Sequence, residues 1–167
     1  MIPNTYDALI QMAAYRFLPD WSWLELKAEW WVESDLKPDV VSPAGAIGLT
    51  QCEPDTFAES AEFLGFPREA SPFDPQYSLL AGTYYLSKMF KAWHSSGRTL
   101  IDRKRLARAS YDAGLGSLLR AQGLAGGTLD YASIIAKLPG ITGASNARET
   151  ARYVDAIELT YKAMVGS

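Results

Sequence analysis

Glu33 is the residue in this chain whose setting best suits acid–base chemistry. It closes a stripe of Trp23, Leu26, Trp30 and Glu33, spaced 3, 4 and 3 residues apart, which on a helix spans roughly 80° of arc. A carboxyl at the end of an apolar stripe is partly withdrawn from water. Its charged form is then disfavoured, its pKa rises, and it can hold a proton at neutral pH for a leaving group. Periodicity equally allows Glu33 to sit solvated at the helix end or paired with Lys37. The segment that follows, Ser42-Pro43-Ala44-Gly45-Ala46-Ile47-Gly48-Leu49-Thr50-Gln51, is built of small residues that permit tight turns and close backbone approach to a ligand. Gln51 offers both a donor and an acceptor there.

The elements that must position these groups read as helices. Asn4 can cap a first helix over residues 5–18, ended by Pro19-Asp20. Ser22 with Glu25 forms a capping-box pattern opening a second helix that runs to about Leu36, before Pro38. A loop over residues 37–50 follows, then a short helix over 55–64. Asp74-Pro75 opens a long helix to about Ser95, with Leu79, Gly82, Leu86, Phe90 and Trp93 as its buried stripe. Helices are further expected over 102–111, broken at Gly114-Leu115-Gly116, then over 117–122 and 131–138. Asn146 with Glu149 reads as a second capping box opening a last helix to about Met164. Strand alternation is almost absent, so the predicted class is all-α, seven or so helices, with room for a minor β element near residue 45.

A length of 167 residues fits one domain, taken as residues 1–167. With 48% hydrophobic and 21% charged residues the chain can bury a core, which excludes disordered and collagen-like classes. The net charge of −3 and a pI near 5.2 lack the basic footprint of a nucleic-acid binder. The single cysteine, Cys52, and the single histidine, His94, cannot make an internal disulfide or a Cys/His zinc site, so neither metal nor cofactor is expected. No apolar run approaches the roughly 18 residues of a membrane helix, so stable membrane insertion is not expected. Residues 1–18 contain Asp7 and lack both an early Lys/Arg cluster and a signal-like apolar core, so the chain as given is expected not to export itself.

The residues around Glu33 carry more than periodicity. Glu33-Ser34, the segment from Ser42 through Gly45-Ala46, Gly48-Leu49 and Gln51, and then Pro54 and Thr56 resemble the soluble lytic transglycosylase (SLT) domain, whose usual form is E-S, then S-x-x-G-A-x-G-L-M-Q-x-x-P-x-T. The likeness continues in family order through Phe73-Asp74-Pro75, Ala81-Gly82 and Tyr85-Leu86. It resumes at Ala109-Ser110-Tyr111-Asp112-Ala113-Gly114, similar to the family's A-A-Y-N-A-G, and at Glu149-Thr150 with Tyr153-Val154, covering about residues 25–155. Three positions depart from the pattern: Thr50 replaces Met, Glu53 an apolar residue, and Asp112 an Asn. At Asp112 a carboxylate in place of an amide removes two donors and adds a charge, which would raise the Glu33 pKa further if the two lie close.

The resemblance implies a lysozyme-like helical fold with a substrate cleft. It implies a lytic transglycosylase that cleaves peptidoglycan between N-acetylmuramic acid and N-acetylglucosamine, with Glu33 as acid and then base and a 1,6-anhydro end as product. By the same carry-over, Ser42, Thr50, Gln51, Tyr111, Asp112, Glu149 and Tyr153 contact substrate. Ser42 and Gln51 would hold the glutamate or the sugar's N-acetyl group, Tyr111 would line the cleft, and Glu149 and Tyr153 would position the glycan from the far wall. Each also has an ordinary role: a turn residue for Ser42, core aromatics for Tyr111 and Tyr153, the capping-box acid for Glu149.

Peptidoglycan glycan strands are thus the expected partner. Together with the expected lack of self-export, this suggests a phage-type protein, an endolysin released through a holin pore or a virion-associated enzyme, made in the host cytoplasm and acting at the periplasmic wall. A truncated domain would read the same. The alternatives are a hydrolytic muramidase using Asp112, Asp39 or Asp35 as second carboxylate, and a non-catalytic wall-binding or virion module. Most of the five tryptophans read as core, Cys52 as a small buried hydrophobe, and His94 as a helix-end residue. Arg98, Arg103, Lys104, Arg105, Arg108 and Arg120 read as a solvated face or as a patch for anionic wall polymer or lipid.

Overall fold

The protein is described by a computed structural model over residues 2–166. Among these residues the helices are α1 (Asp7–Phe17), α2 (Trp23–Ser34), α3 (Pro54–Leu64), α4 (Pro75–Ala92), α5 (Leu100–Ala113), α6 (Leu115–Leu124), α7 (Tyr131–Ile135), α8 (Pro139–Thr142) and α9 (Ala144–Val165). Extended pairing among the described residues is confined to two isolated bridges, Val41 with Ile47 and Ile47 with Cys52. The all-α class and the minor β element near residue 45 are therefore as expected. Two compact units are distinguished, residues 2–85 with 157–166, and residues 86–156, the division falling inside α4 and α9.

Several boundaries move for local reasons. Asn4 does not cap α1, which starts at Asp7 behind Tyr6 without a side-chain cap; the Asn4 carbonyl accepts from the Asp7 amide at 3.2 Å. The Ser22–Glu25 capping box forms, Ser22 Oγ accepting from Leu24 N at 3.3 Å and Glu25 accepting from Ser22 N at 3.0 Å. α2 stops at Ser34, short of Leu36, because Asp35 and Leu36 turn left-handed at φ 54° and 55°. Asp74 opens α4 as expected, accepting from Gln76 N at 2.9 Å. The expected buried stripe of α4 is buried throughout. α5 starts at Leu100 behind a Thr99 cap rather than at Asp102, and Leu115 and Gly116 belong to α6, so the break is Gly114 alone. Pro139 divides the helix expected over 131–138 from a separate short one. The second capping box does not form. α9 begins at Ala144 after Gly143, which places Asn146 inside the helix.

In the first unit an ion pair between the buried Lys27 and the half-buried Asp7 joins α1 to α2, Lys27 Nζ lying 2.5 Å from Asp7. The irregular segment between α2 and α3 is anchored at both sides. Ser34 Oγ, in the last turn of α2, donates to the Leu49 carbonyl at 2.8 Å. Thr50 Oγ1 donates to the Ser78 carbonyl of α4 at 3.2 Å, and the Thr50 amide reaches Ser78 Oγ at 3.4 Å. Two glycines make this approach possible. A Cβ on Gly48, at φ +75°, would lie 2.1 Å from the Pro72 carbonyl, and one on Gly82 of α4 would lie 2.4 Å from the Thr50 side chain.

In the second unit the basic cluster is used internally. Arg98 donates to the carbonyls of Trp93 at 2.6 Å and Leu129 at 2.9 Å, satisfying the end of α4. Arg103 donates to the Phe90 carbonyl at 2.8 Å and lies over its ring, while Arg108 is buried. Arg98 and Arg103 thus serve as staples within the fold, whereas Arg120 is exposed and reaches only Ser117 Oγ at 3.3 Å. Trp93, also buried, donates to Ser110 Oγ at 2.8 Å. Asp130 caps α7 through Ser133 N at 2.7 Å; with the Thr128 hydroxyl also bound, its pKa falls to about 2.

Two stability predictions follow from the first unit. Gly82→Ala drives a methyl into Thr50 and should lower unfolding free energy by about 1–3 kcal/mol in denaturant titrations, as overpacking does. Asp7→Ala leaves the Lys27 ammonium buried without its partner, a loss of about 3–5 kcal/mol, whereas Lys27→Met should be much milder.

Candidate active site

Glu33 sits one residue before the end of α2, half-buried, at the foot of a stripe in which Leu26 and Trp30 are fully buried and Trp23 is half-buried. The sequence expectation of an acid ending an apolar stripe is therefore what α2 presents. Lys37 is engaged by Asp35 at 3.1 Å across the exposed turn. The residue after the acid, Ser34, has its hydroxyl on Leu49, so the backbone beside Glu33 is tied to the loop of small residues.

Within that loop the expected substrate contacts divide. Ser42 Oγ accepts from Ala46 N at 3.0 Å, and the Ser42 and Gly45 amides complete the same tight turn, the ordinary turn role. Gln51 stands at φ 46° and directs its Nε2 to the carbonyls of Gly48 at 2.9 Å and Val40 at 3.2 Å. Its amide donors thus clamp the loop, which leaves the carbonyl end as the group available for other partners. Thr50 has no exposed surface and its hydroxyl is on Ser78. The expectation that Thr50 touches substrate is overturned: it supports the loop from beneath. Cys52 is buried beside Phe57 and Ala81, a small packing residue.

In the second unit, Tyr111 and Asp112 lie in the last turn of α5, and Glu149 and Tyr153 lie four residues apart on α9. Both tyrosines are half-buried and Glu149 is exposed. Thr150 donates its hydroxyl to Asp112 Oδ2 at 2.6 Å, joining α5 to α9. The Asp112 pKa is raised above the usual 3.8. Crowding of its carboxyl by protein is the main cause and the nearby Glu149 charge adds to it, while the Thr150 hydrogen bond opposes both. The side chain keeps solvent contact on its other side.

Ser34, Ser78, Gly82 and Thr150 are the positioning residues that sequence reasoning did not assign. Ser34, Gly82 and Thr150 stood inside recognised motifs, which was the available signal, and Ser78 did not. The partners of Ser34 and Thr150, 15 and 38 residues away, are visible only once the chain is folded. Among the described residues no group of three or more His, Cys, Asp or Glu side chains is arranged to hold a metal ion. No helix among them is long and apolar enough to cross a membrane.

Residues 9–134 match the family model described as Transglycosylase SLT domain. The soluble lytic murein transglycosylase of Escherichia coli K12 is 28% identical over 110 residues, covering 64% of this chain and 16% of that protein. The membrane-bound lytic murein transglycosylase C of Yersinia pestis is 33% identical over 92 residues, 53% of this chain and 26% of that one. The chain thus spans a minor part of the curated relatives it matches. In structure it resembles the 70 kDa soluble lytic transglycosylase of Escherichia coli, with a TM-score of 0.74 and 24% identity over 99% of this chain and 25% of that one. The same type of enzyme in complex with bulgecin A gives a TM-score of 0.77 at 25% identity, over 99% of this chain and 25% of that one. With residues 9–134, three quarters of its length, matching the family model, the chain belongs to the Transglycosylase SLT domain family, with the lysozyme-like helical fold.

Proposed function

We propose that the protein is a peptidoglycan lytic transglycosylase in which Glu33 acts first as acid and then as base. The observation that carries this is the half-buried Glu33 at the foot of a buried stripe, beside a loop clasped by Ser34, in a chain of this family. The glutamic acid protonates the oxygen joining N-acetylmuramic acid to N-acetylglucosamine as the bond from C1 to that oxygen breaks. The resulting carboxylate takes the proton of the muramic acid 6-hydroxyl, and the 6-oxygen bonds to C1, giving a 1,6-anhydro end. No water is consumed, so one carboxyl serves where a glycoside hydrolase ordinarily needs two. Phage lysis or wall penetration is the biological setting proposed for this reaction.

A hydrolytic muramidase is the second reading. It is favoured by one feature, the second carboxyl Asp112 with its raised pKa and an oxygen oriented by Thr150.

Two variants test these assignments. Glu33→Gln should abolish release of soluble fragments from purified peptidoglycan while leaving the melting temperature nearly unchanged; normal release by the variant would remove Glu33 from the mechanism. Asp112→Asn should leave transglycosylation largely intact, whereas a hydrolase using Asp112 would lose most of its rate. The same variant has a signed effect on stability. Because folding raises the Asp112 pKa, the folded state binds more protons than the unfolded one above pH 3.8, and its ionisation weakens the fold as pH rises. Asp112→Asn should therefore raise the melting temperature at neutral pH, and the gain should vanish below the usual carboxylate range.

A further inference from the structure

Phe63 of α3 is 70% exposed, unlike Phe57 of the same helix, which is buried. Its ring is nevertheless held. One face lies on Tyr84 of α4, with centroids 4.7 Å apart and planes 11° from parallel. Tyr84 is met in turn by Phe17 of α1, edge to face at 5.7 Å, and the Arg16 guanidinium lies 5.0 Å from the Phe17 ring centre. Three helices of the first unit thus back one aromatic ring whose opposite face is open to solvent.

This platform is separate from the loop beside Glu33. Ser78 and Gly82, four residues apart, turn one side of α4 to Thr50. Tyr84, two residues beyond Gly82, points about 200° around the same helix, so the ring stack lies on the other side of α4.

The chemistry around Phe63 narrows its partner. α3 carries Asp55, Glu59 and Glu62 and neither lysine nor arginine, and the Arg16 cation stands at the far end of the ring stack. A flat, pre-positioned aromatic face has a negative quadrupole that attracts weakly positive C–H groups. The axial C–H face of a pyranose presents such groups. We propose that the outer face of Phe63 is a second carbohydrate site, on which a neutral pyranose ring of the wall glycan stacks and so anchors the strand. In naming the wall glycan, this inference rests on the function proposed above.

The test is co-sedimentation with purified sacculi in the Glu33→Gln background, which separates binding from turnover. Adding Phe63→Ala should weaken binding about tenfold, the effect of losing one ring contact, and Phe63→Trp should bind at least as well as the parent. With Glu33 intact, Phe63→Ala should still cleave short soluble glycan fragments at the parental rate. Unchanged binding by Phe63→Ala, or no binding by the parent, would overturn the platform. A joint loss of binding and of soluble-fragment cleavage would do so as well, by assigning Phe63 to folding or to the reaction site. Cleavage by the Glu33 protein reports separately on the proposed reaction, so failure of the platform and failure of that reaction give different results.

Discussion

The Ser34 hydroxyl donates to the Leu49 carbonyl at 2.8 Å, in a buried setting, and so ties the turn that carries Glu33 to a loop without regular structure. A buried hydrogen bond of this kind contributes only about 1 kcal/mol net, but leaving its carbonyl unpaired would cost more. Its value is geometric. The loop is held from the other side by Thr50 on Ser78, and Gly48 and Gly82 permit the close backbone approach that both contacts need. Gln51 closes the arrangement by spending its amide donors on Gly48 and Val40. Rigid support of this type is what a single carboxyl requires if it is to serve as both acid and base.

Much of this was legible in the sequence, and the limits are physical. The buried stripe of α4 and the capping box of α2 depend on neighbours three or four residues away, and they appear as expected. Glu33 was visible because its apolar stripe is equally local. The roles of Ser42, Thr50 and Gln51 were not, since a side chain that clamps its own loop and one that meets a ligand have the same local pattern. Only the folded position of Ser78, 28 residues away, shows that Thr50 is buried support. The absent capping box at Asn146 has a different cause: Gly143 turns the chain early enough for α9 to begin at Ala144, before the box residues are reached.

The basic cluster makes the same point for charge. A local excess of arginine reads in sequence as a surface, yet Arg98 and Arg103 donate to the Trp93 and Phe90 carbonyls at the end of α4, and Arg98 to the Leu129 carbonyl as well. At Asp112, by contrast, the family's amide is replaced by a carboxyl whose pKa is raised and whose oxygen is fixed by Thr150. Those features give Asp112 a titration of its own, and they make the part played by water in the reaction the question on which the two enzymatic readings divide.

That question has a direct readout in the mass of the sugar ends released from purified peptidoglycan. If Glu33 works alone, the new ends are 1,6-anhydro forms, one water lighter than reducing ends. Reducing ends, formed in a reaction that depends on Glu33, would contradict the single-carboxyl mechanism.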